Sequence, residues 1–137
     1  MFSSKFFKIA LIVIFFGGIF FVYIIYDPSQ HSFFIPCPFN YITGYHCPGC
    51  GSQRAIHQLL HLNILNALRL NPFLVLSLPI IIYGLGIQIW NFIFETQFRF
   101  KLFYNKFFIY GYFGFAILYW ILRNLPHYPF NLLAPAE

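Results

Sequence analysis

Residues 71 to 94 read NPFLVLSLPIIIYGLGIQIWNFIF, and this stretch decides the fold. Asn71 is a capping residue, and Pro72 suits the first helical position, where its missing N–H costs nothing. From Pro72 to Phe94 no residue is charged. A helix needs about 20 apolar residues to cross a bilayer, and this segment supplies them. It reads as a membrane span, with a kink expected at Pro79, whose ring removes a helical hydrogen bond.

The rest of the chain agrees. It has 137 residues, 60% hydrophobic, 24% aromatic and only 8% charged, with a mean hydropathy of +0.71. Soluble domains carry roughly 25% charged residues, so this chain could not cover a water-facing surface. Its net charge of +5 comes from 8 Lys and Arg against 3 acids. The basic residues sit at the ends of apolar runs and form no stripe interleaved with aromatics. That pattern predicts contact with lipid headgroups and argues against a nucleic-acid partner.

Two further spans are expected. Ile9 to Tyr26 is uncharged, follows Lys5 and Lys8, and ends at Asp27-Pro28. With Phe7 included it gives a first span over about 7–26. Tyr23 to Tyr26 is too bulky for a leader-peptide cleavage site, so the span reads as uncleaved. A third span is expected over about 105–122, ended by Arg123-Asn124-Leu125-Pro126, with Asn124 a possible cap for it. The tail, 123–137, is rich in proline and should be mostly irregular. If the N-terminus is cytoplasmic, that side holds Lys5, Lys8, Arg99, Lys101 and Lys106, against Arg54, Arg69 and Arg123 opposite. This split favours an N-in topology with loop 95–106 in the cytoplasm and the cysteine loop, 27–71, outside it.

That outer loop carries the reactive chemistry. Residues 46 to 54 read HCPGCGSQR, with Cys37 upstream. Asp27 to Tyr45 should be irregular. From Ser52, a plausible N-cap, the residues Ile56, Leu59, Leu60, Ile64, Ala67 and Leu68 keep a helical period, which predicts an amphipathic interfacial helix interrupted near Asn63.

Three readings of Cys47-Pro48-Gly49-Cys50-Gly51 stay open. A metal knuckle for zinc or iron would draw further ligands from Cys37, His46, His57 and His61, the last two sharing one helical face. A thiol–disulfide exchange pair at a helix start would have a stabilised thiolate. A structural bridge from Cys37 to Cys47 or Cys50 would close a short loop, worth about 3 kcal/mol. Arg54 opposes the dipole of the helix it opens, so either Asp27, a lipid phosphate or an anionic ligand holds it, or it snorkels at the surface. The three acids Asp27, Glu95 and Glu137 are scattered, and no phosphate loop, nucleophile elbow or His-Glu-x-x-His occurs. These absences leave no paired-carboxylate, phosphate-loop or serine-hydrolase site.

The set Cys37-Pro38-Phe39, Thr43-Gly44, Cys47-Pro48-Gly49-Cys50-Gly51, Arg54-Ala55, Leu70-Asn71-Pro72 and Arg123-Asn124-Leu125-Pro126 resembles a bacterial family of small membrane proteins of unknown function. Its signature is Cys-Pro-x-Cys-Gly-x-x-Arg. The family pattern has Thr before the Arg, where this chain has Gln53. The resemblance implies a short helical membrane domain in which Cys47, Cys50 and Arg54 matter, and it implies no activity. The expectation is therefore an all-α, three-span protein of the bacterial inner membrane. Its role is read as accessory or structural and non-enzymatic, among lipid and membrane-protein partners.

Overall fold

The computed structural model describes residues 2–135, and those residues are helical with no strand. Six α-helices follow in order: α1 (Phe2–Ile25), α2 (Pro38–Thr43), α3 (Ser52–Leu60), α4 (Ile64–Leu70), α5 (Pro72–Phe94) and α6 (Lys106–Leu122). Short 3-10 turns occupy Lys101–Tyr104 and Phe130–Leu133.

Two helical segments, Lys5–Ile25 and Pro72–Phe94, are long and apolar enough to cross a membrane. The apolar helix α6 has 17 residues. Asn71 caps α5 as its position before Pro72 predicts, its Oδ1 accepting from the N–H of Leu74 at 3.0 Å. The helix runs on through Pro79. Asn105 caps α6 in the same way, accepting from Phe107 at 3.0 Å.

The long helices share two ends. At one, the end of α1 meets α3, where the imidazole Nδ1 of His57 donates to the carbonyl of Tyr23 at 2.6 Å. At the other, Lys8 Nζ donates to Glu95 Oε1 at 3.1 Å and to the carbonyl of Phe92 at 3.2 Å. The apolar side chains of α1 face outward along its length, Ile14 being 72% exposed. Outward-facing Phe and Ile along uncharged helices are the pattern a lipid solvent selects.

The interior is inverted relative to a soluble domain. The largest fully buried side chains are Arg123 and Asn71, at 1% and 0% exposure. They lie with Ala55, Ala67, Cys50 and Tyr119 at the cysteine end of the molecule, where α3, α4, the start of α5 and the end of α6 converge.

The local structure departs from the pattern reading in several places. Segment 27–45 is not wholly irregular, because Pro38 at a first helical position and Gly44 in a left-handed C-cap (φ 73°) bracket α2. Gly51, at φ 81°, is the N-cap of α3, and Ser52 is its first residue. The segment from Ser52 to Leu70 is two helices, broken where Asn63 predicts, although Asn63 makes no side-chain cap. The tail is mostly irregular over its described residues, with one 3-10 turn at Phe130–Leu133.

Candidate functional site: a three-thiol cluster on a clamped turn

The Cys47–Cys50 turn is closed by its own backbone. The N–H of Cys50 donates to the carbonyl of Cys47 at 3.0 Å, and that of Ser52 to Gly49 at 3.0 Å. The N–H of Cys47 points at Cys50 Sγ, 3.2 Å away. Gly51 carries the chain from the turn into α3. Its positive φ suits glycine, and a Cβ there would stand 2.6 Å from the carbonyl oxygen of Leu70. Both conditions require this glycine.

Cys37, the N-cap of α2, brings a third sulfur to the pair. Cys37 Sγ lies 3.2 Å from Cys47 Sγ, and Cys47 Sγ lies 3.3 Å from Cys50 Sγ. All three sulfurs fall within 4.8 Å of one another. Four sulfurs around zinc at 2.3 Å stand about 3.8 Å apart, so this triangle needs to open by only about half an ångström to share an ion. A cavity of about 440 Å³ opens on it, lined among others by Pro36, Gln53, Arg54 and Pro135.

The thiols are not equivalent. Burial opposes ionisation of Cys37, but the N–H groups of Asn40 and Phe39 at the start of α2 and the neighbouring thiols outweigh it, leaving its pKa lowered. Cys50 is pushed up to about 12 by burial first and by its contacts with Cys47 and Cys37 second. Cys37 is thus a readily ionised thiol and Cys50 a reluctant one.

Three polar side chains distant in sequence hold the turn. Arg123 donates through one terminal nitrogen to the carbonyls of Cys47 at 2.8 Å and Pro48 at 3.3 Å, and through the other to Cys50 at 3.2 Å. Asn71 Nδ2 donates to the carbonyls of Pro48 at 2.9 Å and Cys50 at 3.2 Å, and to Ser52 Oγ at 3.0 Å. Asn124 clasps His46 with both ends of its amide. Asn124 also donates to the carbonyl of Trp120 at 2.8 Å. The carbonyls of Pro48 and Cys50 thereby find side-chain donors, and that of Cys47, which already accepts from Cys50 N–H, gains a second.

The structure therefore gathers Cys37, Cys47, Pro48, Gly49, Cys50, Gly51, Asn71, Arg123 and Asn124 at one site, with Pro72 opening the helix that carries Asn71. The histidines are the correction. Among the described residues, His46, His57 and His61 are not in the sulfur cluster. His57 and His61 do share a face, their rings 4.4 Å apart. That face turns toward α1, and His61 Nδ1 donates to the carbonyl of His57 at 2.9 Å. Arg54 lines the cavity, and its charge reaches Asp27. The Asp27 carboxyl is lowered mainly by the N–H and hydroxyl of Ser29, with smaller pulls from His57 and Arg54.

Pattern reasoning missed Tyr119, and it read Ser52 only as a helix cap where the hydroxyl accepts from Asn71. Tyr119 lies under the guanidinium, its ring centroid 5.0 Å from Arg123 Cζ. It sits four residues before Arg123, one helical turn, which was the available signal.

A family model described as "Protein of unknown function (DUF2752)" matches residues 37–85. The matched segment begins at Cys37, takes in the turn, α3 and α4, and ends within α5, short of Arg123. No curated protein and no solved structure matches the chain.

Proposed function

We propose that this protein is a membrane-embedded holder of a soft metal ion, bound by the thiolates of Cys37, Cys47 and Cys50. The observation that carries the reading is the convergence of three sulfurs, one from the cap of α2 and two from the turn. A disulfide would use two of them and strand the third. The bracing expected of a Cys37 bridge is supplied by Asn71, Arg123 and Asn124, which leaves the thiols available for chemistry. Thiolate donors select zinc, copper(I) or iron–sulfur units over hard ions. With no histidine in the cluster, the cavity leaves a fourth position open, as sites that exchange ligands do.

The protein is read as crossing the bacterial inner membrane three times. Helix α6 spans about 26 Å at 1.5 Å per residue, slightly less than the hydrocarbon thickness, a mismatch that local bilayer thinning absorbs. The termini of α1 and α5 near Lys8 and Glu95, and the basic residues Arg99, Lys101 and Lys106, face the cytoplasm in this reading. The thiol cluster then faces outward.

Thiol–disulfide exchange is the second reading, and the contrast between Cys37 and Cys50 favours it. Elemental analysis and thiol counting on protein purified without chelators separate the two. About one soft metal ion per chain, with three thiols released on denaturation and chelation, supports the metal site. A metal-free sample carrying one disulfide and one thiol refutes it and returns the turn to exchange or to a structural bridge.

A further inference from the structure

Arg123 presents a charge problem that its hydrogen bonds do not solve. The side chain is 1% exposed, and among the described residues no carboxylate pairs with it, the one salt bridge being Lys8–Glu95. Its terminal nitrogens reach only neutral carbonyls, those of Cys47, Pro48 and Cys50, and its buried Nε has no acceptor. The Tyr119 ring behind it offers a further partial negative face. A buried cation without an anion is strongly unfavourable. Two of the three residues whose carbonyls it grips, Cys47 and Cys50, carry thiols of the sulfur cluster, groups that become negative when they ionise.

We infer that Arg123 is the fixed counter-charge of the three-thiolate centre, so that the ion-loaded site is electrically neutral. The inference rests on the metal reading above. Three thiolates and a divalent ion sum to −1, and the guanidinium cancels that charge within the protein. Arg123 then does two separable things: its fork holds the turn, and its charge favours the loaded over the empty site. Lysine keeps the charge and loses the fork, whereas glutamine loses the charge.

The experiment is zinc competition against a colorimetric chelator, run on the reduced full chain in detergent for the parent protein, Arg123→Lys and Arg123→Gln. Thermal unfolding of each empty protein is measured in parallel. The expected result is that Arg123→Gln binds zinc at least about tenfold more weakly, a loss on the scale of one removed charge interaction. Arg123→Lys should hold zinc within about threefold of the parent, even though its empty form melts lower. If both variants lose affinity in proportion to their loss of stability, Arg123 is an anchor only and the inference fails. If Arg123→Gln does not fold, Arg123→Lys alone decides, because an anchor-only role costs it zinc affinity as well as stability. A parent protein that binds no zinc overturns the metal reading itself, a result distinct from either variant outcome.

Discussion

Asn124 and His46 are bound to each other twice across the molecule: the N–H of His46 donates to Asn124 Oδ1 at 2.8 Å, and Asn124 Nδ2 donates to the carbonyl of His46 at 2.9 Å. The amide of one side chain thus acts as a strand partner for one residue of backbone. It fixes the residue immediately before Cys47 to the end of α6, which orients the turn relative to that helix.

Asn124→Asp tests this clasp. The carboxylate still accepts from His46 N–H but replaces the donor facing the carbonyls of His46 and Trp120 with a negative oxygen. A loss of roughly 1–3 kcal/mol is expected. Thermal unfolding in detergent measures it, and a variant as stable as the parent would show that the clasp carries no weight.

Gly51 and Gly44 form a matched pair. Both have positive φ, 81° and 73°, but a Cβ at Gly51 meets the Leu70 carbonyl while one at Gly44 meets nothing within 4 Å. Gly44→Ala should cost about 1 kcal/mol, the left-handed penalty alone. Gly51→Ala should cost more, about 2 kcal/mol or above, and loosen the thiol site. Equal melting temperatures for the two variants would mean that the contact with α4 is not tight.

The thiols should react in a fixed order. The thiolate is the attacking form, so Cys37, with its lowered pKa, alkylates first and at lower pH than an ordinary cysteine. Cys50, ionising only near 12 and 6% exposed, alkylates last. Timed labelling of the metal-free, reduced protein from neutral to alkaline pH, read by peptide mass, shows the order. Labelling of Cys50 before Cys37 would contradict it.

The orientation is testable in cells. With the thiol end outside the cytoplasm, a membrane-impermeant maleimide added to intact cells after reduction should label Cys37. Labelling confined to lysed cells would reverse the topology.

The two helices long and apolar enough to cross a membrane were legible because uncharged length is a local property, and Asn71-Pro72 announced its helix because capping is local too. The pairing of Cys37 with the turn was legible as a possibility of loop closure. The direction of the histidines was not. Period 3.6 puts His57 and His61 on one face, but only the packing of α3 against α1 decides that the face looks at Tyr23 rather than at sulfur. Arg123 and Asn124 stood out as a motif, yet their targets in and beside the cysteine turn lie 73 to 78 residues away. No spacing rule links an arginine at the end of one helix to carbonyls in another loop.

The measurement that bears most directly on the three-thiol site is a cobalt(II) titration of the reduced protein, followed by sulfur-to-metal charge-transfer absorption. Cobalt(II) takes up zinc-type sites, and thiolate ligation must displace protons. The account predicts saturation at one ion per chain, and loss of most of the band in each of Cys37→Ser, Cys47→Ser and Cys50→Ser. A band that survives Cys37→Ser intact, or no band in the parent, would contradict it.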